Sequence, residues 1–181
     1  MISKTDALIN SYERVLTEPW NQKLSGQEKV WFLVYDPTEQ RRVMFRLGDF
    51  ERVTRKHKRE WLEVDLADAF PQWMANHEYR EEYFQYPAGI QDQLESEFRD
   101  YVVERIIQAM QKANDIENTI IAITNVNALF GFIKLSDVLQ KVYAHNKGRI
   151  LIFFPGEFHS NHYRLMDARD GWSYLARPIT A

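Results

Sequence analysis

The chain contains no cysteine. Disulfides, thiolate metal sites and a cysteine nucleophile are therefore excluded, and the reducing cytoplasm is the simplest expectation for its compartment. The stretch from Met1 to Asp6 lacks the apolar core of a signal peptide. No run approaches the roughly 20 apolar residues that cross a bilayer, so no membrane association is expected. A phosphate loop is also missing. Neither G-x-x-x-x-G-K followed by Ser or Thr, nor G-x-G-x-x-G, follows any expected strand. Positive charge is not in excess: a net charge of −3 gives no global drive toward nucleic acid, although a local basic patch remains compatible with it.

What is present is an ordinary globular balance. Apolar residues make up 45% and charged residues 27% of the 181 positions, enough for one domain with a substantial core and hardly enough for two. Aromatic residues reach 14%, which predicts a core rich in Phe, Tyr and Trp and leaves room for an exposed aromatic patch. Repeats, low-complexity tracts and linkers are absent, so a single α/β domain is expected, with an amino-terminal helix over 3–17 and a core over 28–181.

Ala7, Leu8, Tyr12 and Val15 recur at helical spacing ahead of Pro19. Val30 to Tyr35 is a continuous β-prone run of the kind found in a central strand. Asp36, Pro37 and Glu39 then occupy the cap, first and third positions of a helix, which Val43, Leu47, Phe50 and Thr54 continue on one face. Trp61 to Leu66 predicts a second strand. A long helical region follows, with a break expected at Pro71 or at the turn Tyr86 to Gly89. Its second part, carrying Leu94, Phe98, Val102, Ile106, Ala109, Met110 and Ala113, has the clearest helical period, with acidic residues on the other positions. Thr119 to Thr124 predicts a third strand, and Leu135, Val138, Leu139 and Val142 a further helix. Ile150 to Phe154 predicts a fourth strand, stopped by Pro155-Gly156. The segment from Tyr163 to Ile179 contains Asp167 to Gly171 as a turn between two short strands, and Pro178 suits an edge. The expected fold is a three-layer α/β sandwich with a mostly parallel sheet of about five strands and a carboxy-terminal hairpin.

In such sheets ligands gather beyond the carboxyl ends of the strands. Asp36, Asp65, Asn125 and Gly156 mark that crevice, and Arg164 follows close behind. Asp36 equally serves as a helix cap and Pro155-Gly156 as a turn. A carboxylate after the first strand repels a phosphate rather than cradling it. His159 and His162 beside Glu157 are too few for a metal cage, and no metal or cofactor is expected. Ser160 lacks a nucleophile elbow, and Glu63 with Asp65 lack the lysine of a nuclease core, so no catalytic residue is assigned. Arg52, Arg55 and Lys56, with Lys58 and Arg59, close a helix where cations are favoured by its dipole; the same group could serve as a basic spot for an acidic partner. Trp73, Tyr79, Tyr83, Phe84 and Tyr86 are either core of the long helical region or anchors for a partner.

Taken in order, Tyr35-Asp-Pro37, Leu62-Glu-Val-Asp-Leu66, the polar break after Thr124, Phe153-Phe-Pro-Gly156, Tyr163-Arg-Leu-Met166 and Tyr174-Leu-Ala-Arg-Pro178 resemble the BrxB family. The likeness runs from Val30 to Ile179 and is most specific at Ile150 to Gly156 and the terminal strands. Arg164 stands where the family carries an arginine, whereas Arg177 is displaced relative to its tyrosine. The resemblance implies a non-catalytic subunit of a BREX (bacteriophage exclusion) defence system. Such systems combine a methyltransferase that marks host DNA, a large ATPase and a phosphatase-like protein, PglZ. Assembly, by binding PglZ and other BREX components, is the implied role. Direct contact with nucleic acid is not expected. Arg52, Arg55, Lys56, Tyr83 and Tyr86 are the candidate partner surface, and Asp36, Asn125, Gly156 and Arg164 the candidate crevice. The second reading is a degenerate nucleotide- or nucleic-acid-binding regulator that uses the crevice.

Overall fold

The computed structural model describes residues 2–168 and 175–181. Helix α1, Lys4–Leu16, starts where Ser3 accepts a hydrogen bond from the Asp6 backbone N–H, and it buries Leu8, Ile9, Tyr12, Val15 and Leu16. Strand β1, Val30–Tyr35, and strand β3, Thr119–Thr124, are buried along their whole length. Their unbroken apolar runs are what a parallel strand covered on both faces requires. The sheet order is β2 (Glu60–Asp65), β3, β4 (Arg149–His159), β1, β6 (Arg177–Ile179), and these neighbours are all parallel. The short strand β5, His162–Leu165, pairs with β4 antiparallel.

Alternation along the strands divides the core into two layers. Phe32, Val34, Ile121, Ile123, Ile150, Ile152 and Phe154 face helices α4 (Ala69–Ala75), α7 (Arg99–Met110) and α8 (Leu135–Val142). Trp31, Leu33, Tyr35, Ile120, Ala122, Leu151 and Phe153 face α1, α2 (Gln40–Phe45) and α3 (Leu47–Lys56). Each fully buried side chain of this size contributes roughly 1.5–3 kcal/mol. The three-layer sandwich and its mostly parallel sheet are therefore present as expected, and Pro178 sits on the edge strand β6.

Four local expectations are corrected. The helix after Asp36 is not continuous. A 3-10 turn over Pro37–Glu39 leads to α2, and the chain leaves helical geometry at Arg46 (φ −95°, ψ 12°) before α3 begins. Arg46 there holds Asp6 and Asp49, and these ion pairs fix the kink. Pro71 breaks nothing, because it lies in the first turn of α4, where a missing N–H costs no helical bond. The expected alternative is the one observed: the region is interrupted at Tyr86-Pro87, and also after Ala75, on either side of α5 (Arg80–Gln85). Beyond them α6 (Gln91–Gln93) enters a π-helical turn over Leu94–Phe98 that runs into α7.

The third and fourth corrections concern the ending. Pro155-Gly156 does not stop β4. The strand continues to His159, exchanging the parallel partner β1 for the antiparallel partner β5 at this point. The hairpin is thus β4–β5, closed by Ser160 (φ 49°) and Asn161 (φ 67°), the two left-handed positions of a tight turn whose twist suits paired strands. The segment β6 pairs with β1, not with β5. The turn expected at Asp167 to Gly171 lies partly, and Ser173-Tyr174 wholly, outside the described residues.

Candidate functional site

Of the expected crevice residues, Asp36 and Asn125 follow the carboxyl ends of β1 and β3, whereas Gly156 lies within β4 and Arg164 on β5, and local chemistry accounts for most of them. Asp36 caps the 3-10 turn, accepting from the Thr38 N–H at 2.8 Å and the Thr38 hydroxyl at 2.6 Å. Those two bonds hold its carboxyl below the ordinary range. Asn125 follows β3 in the left-handed region (φ 57°, ψ 36°), a conformation Asn tolerates better than most residues. Its Nδ2 donates to Asp65 at the end of β2 (2.8 Å), and its Oδ1 accepts from Gln40 (2.9 Å). Gln40 in turn accepts from the Tyr35 hydroxyl (2.6 Å). Tyr35, Gln40, Asn125 and Asp65 thus form one chain of hydrogen bonds from the end of β1 to the end of β2. The hydroxyl of Thr124, buried beside them, has no partner.

Gly156 serves packing. A Cβ there would lie 2.0 Å from the Arg164 carbonyl oxygen and 2.9 Å from the Phe154 ring. Arg164 projects from β5, half-exposed, 4.0 Å from Glu157 on the paired strand. It does not join the Asp36–Asn125 edge through any hydrogen bond among the described residues. His162 donates from Nδ1 to the Ser160 carbonyl and faces His159 across the hairpin. No three His, Asp or Glu side chains converge as a metal site would need among the described residues. Glu63 is pushed above the usual carboxylate range by lost hydration and then by Asp65 and Glu51. On the edge strand β2, these charges discourage pairing with another chain.

The candidate partner residues are not gathered on one surface. Arg52 pairs with Asp49 (2.6 Å), Arg55 with Glu51 (2.8 Å) and Lys56 with Glu13 (2.9 Å), all on the α1–α3 side of the sheet. Tyr83 packs on the opposite core layer, against His77 (5.1 Å), and Tyr86 is exposed nearby. The basic residues therefore largely neutralise their own acidic neighbours. Asp49 is held below its ordinary pKa by Arg46 and then Arg52, and Glu13 by His57 and then Lys56. The sign follows: a carboxylate with a depressed pKa stabilises the fold above its unfolded value, and that contribution disappears as pH falls through the folded one. Urea midpoints should therefore be flat from about pH 7 to 5 and fall below about pH 4, less steeply in high salt because these pairs are exposed.

Two constellations carry no signal in sequence spacing. Gln40 gives no motif, yet it links the strand ends. At the opposite edge of the sheet, Arg149, 2% exposed, lies with its guanidinium 4.8 Å from the Trp20 ring, and Arg59 lies 3.8 Å from the same ring.

With this geometry in place, comparison adds an identification. The family model described as "BREX protein BrxB" matches residues 62–177. Searches of curated proteins and of solved structures give no match. No described helix is long and apolar enough to cross a membrane. The match covers well over half of the chain, which therefore belongs to the BrxB family and is a component of a BREX defence system.

Proposed function

We propose that this BrxB-family chain is a non-catalytic assembly subunit of its BREX system and that its principal partner is PglZ. Family membership carries the reading. The strand-end chemistry supports it: the polar side chains that a ligand would use are largely engaged with one another, through Tyr35, Gln40, Asn125 and Asp65. The other strand-end carboxylate, Asp36, caps its own turn.

The test mixes the purified chain with PglZ from the same system in size-exclusion chromatography, alongside titrations with ATP, GTP and duplex DNA. A co-eluting complex and no nucleotide or DNA response is the expected result. Salt-sensitive DNA binding, lost on changing Arg55 and Lys56, would replace this reading with that of a nucleic-acid regulator.

A further inference from the structure

An aromatic patch lies on the side of the sheet away from the basic residues of α3. Tyr79 is 53%, Phe84 64% and Tyr86 69% exposed, more than isolated surface aromatics need be. Beside them a cleft of about 320 Å3 opens between α4, the residues after it and the start of α7, lined by Trp73, His77, Glu78, Tyr79, Glu97 and Tyr101. Trp73 is fixed from behind by Phe98 (5.3 Å) and Phe70 (5.9 Å). His77 stands edge-on to Trp73 at 5.0 Å. Its Nδ1 accepts the Tyr79 backbone N–H and its Nε2 donates to Glu97, both at 3.1 Å. These two bonds fix the imidazole in place and hold the Glu97 carboxylate at the cleft.

The surroundings have the same sign. Residues 76–98 hold Glu78, Glu81, Glu82, Asp92, Glu95 and Glu97 against Arg80 alone. Arg80 is turned to the Ala75 carbonyl and Glu81. No lysine or arginine among the described residues lies within ion-pair distance of Glu78, Glu82 or Glu97. The Tyr83 hydroxyl registers this field, held above its ordinary pKa by lost hydration and then by Glu97 and Glu82.

We propose that this acid-lined aromatic cleft is the socket for an arginine side chain on a basic segment of a partner protein. A guanidinium can stack on an aromatic ring while donating two parallel bonds to a carboxylate, a combination a lysine ammonium cannot make. Phe84 and Tyr86 would flank the inserted chain as apolar anchors. The inference rests on the assembly role above, but its test is separate.

The probe is the peptide acetyl-Gly-Arg-Arg-Gly-amide, with its citrulline counterpart as the neutral control, followed by the NMR signal of the Trp73 indole N–H. A saturable shift with a Kd of about 1 mM is expected for the arginine peptide. Binding should be at least about tenfold weaker for citrulline and for the double variant Glu78→Gln, Glu97→Gln. Both glutamates are on the surface, and circular dichroism checks that the variant is folded. Equal shifts with both peptides, an unaffected double variant, or no shift at all overturns the socket. PglZ binding without peptide binding discards the socket alone. Peptide binding without PglZ binding discards PglZ as the partner and leaves the socket standing.

Discussion

Gly156→Ala is expected to cost about 3 kcal/mol of stability, lowering the thermal midpoint by roughly 6–12 °C for a chain of this size. The cause is the partner exchange along β4. Up to Pro155 the strand is paired with β1, and from Gly156 it is paired with β5, with Gly156 opposite Leu165. At that position the β5 backbone comes so close that an added Cβ would sit 2.0 Å from a carbonyl oxygen and 3.0 Å from its carbon. Backbone atoms cannot swing aside as a flexible side chain would. The strand β5 must move, and it carries Tyr163, which is packed on Phe32 (4.6 Å) and Phe154 (5.9 Å) and donates from its hydroxyl to the Ala176 carbonyl at 2.6 Å. Displacing β5 therefore also disturbs the entry to β6. Gly48→Ala is the control: nothing lies within 4 Å of its added Cβ, and inside α3 it should gain up to about 1 kcal/mol. Equal midpoints for Gly156→Ala and the parent would refute the close approach.

The second large effect lies at the other edge of the sheet and depends on which residue replaces Arg149. Arg149→Ala should cost about 3 kcal/mol in urea unfolding, while Arg149→Met should stay within about 1 kcal/mol of the parent. Arg149 is almost wholly buried and has no carboxylate within ion-pair distance among the described residues. It donates to the carbonyls of Gly148 and Asn21, and its guanidinium lies near the Trp20 indole. Lost hydration, and then the nearby charge of Arg59, lowers its pKa from the ordinary arginine value. Most of its contribution is thus the volume and stem packing that hold the 19–28 loop on the sheet. Asn146 ties the same loop through the Gly26 carbonyl at 2.8 Å. Alanine removes the volume; methionine keeps it and removes an expensive buried charge. If both variants lose the same stability, the guanidinium bonds matter more than the packing.

The two effects fall where the sequence was not legible; the elements around them were. Runs such as Val30 to Tyr35 and Thr119 to Thr124 announce buried parallel strands because every side chain on both faces must be apolar. The Asp36-Pro37 start is equally plain, since the cap acts over neighbouring residues. What escaped is contact between distant residues. Proline and glycine at 155–156 resemble a stop. Only the arrival of β5 makes them the point of partner exchange, with a glycine where two backbones meet. The turn at Ser160-Asn161 carries a weak signal in Asn161 alone. Arg46 kinks its helix through Asp6, which lies far away in sequence. Of the candidate crevice residues, Asp36 and Asn125 do follow the ends of β1 and β3, whereas Gly156 lies inside β4 and the bridge through Gln40 is invisible to any motif. The aromatics after Trp73 were visible as a group, yet the cleft depends on how His77, just past α4, meets Glu97 in the π-helical turn ahead of α7.

The central claim is that the chain acts through its surface and not through chemistry at the strand ends. The double variant Asp36→Ser, Asn125→Gly tests it most directly. Serine preserves the helix cap through its hydroxyl and glycine accepts the left-handed backbone, so the fold survives while the strand ends lose the Asp36 carboxylate and the Asn125 amide. The measurement is phage plating on cells whose BREX system carries this variant in place of the parent chain. Defence equal to that of the parent is predicted. Defence abolished, with the variant still folded and still eluting with PglZ, would contradict the account and assign the strand-end crevice a chemical role.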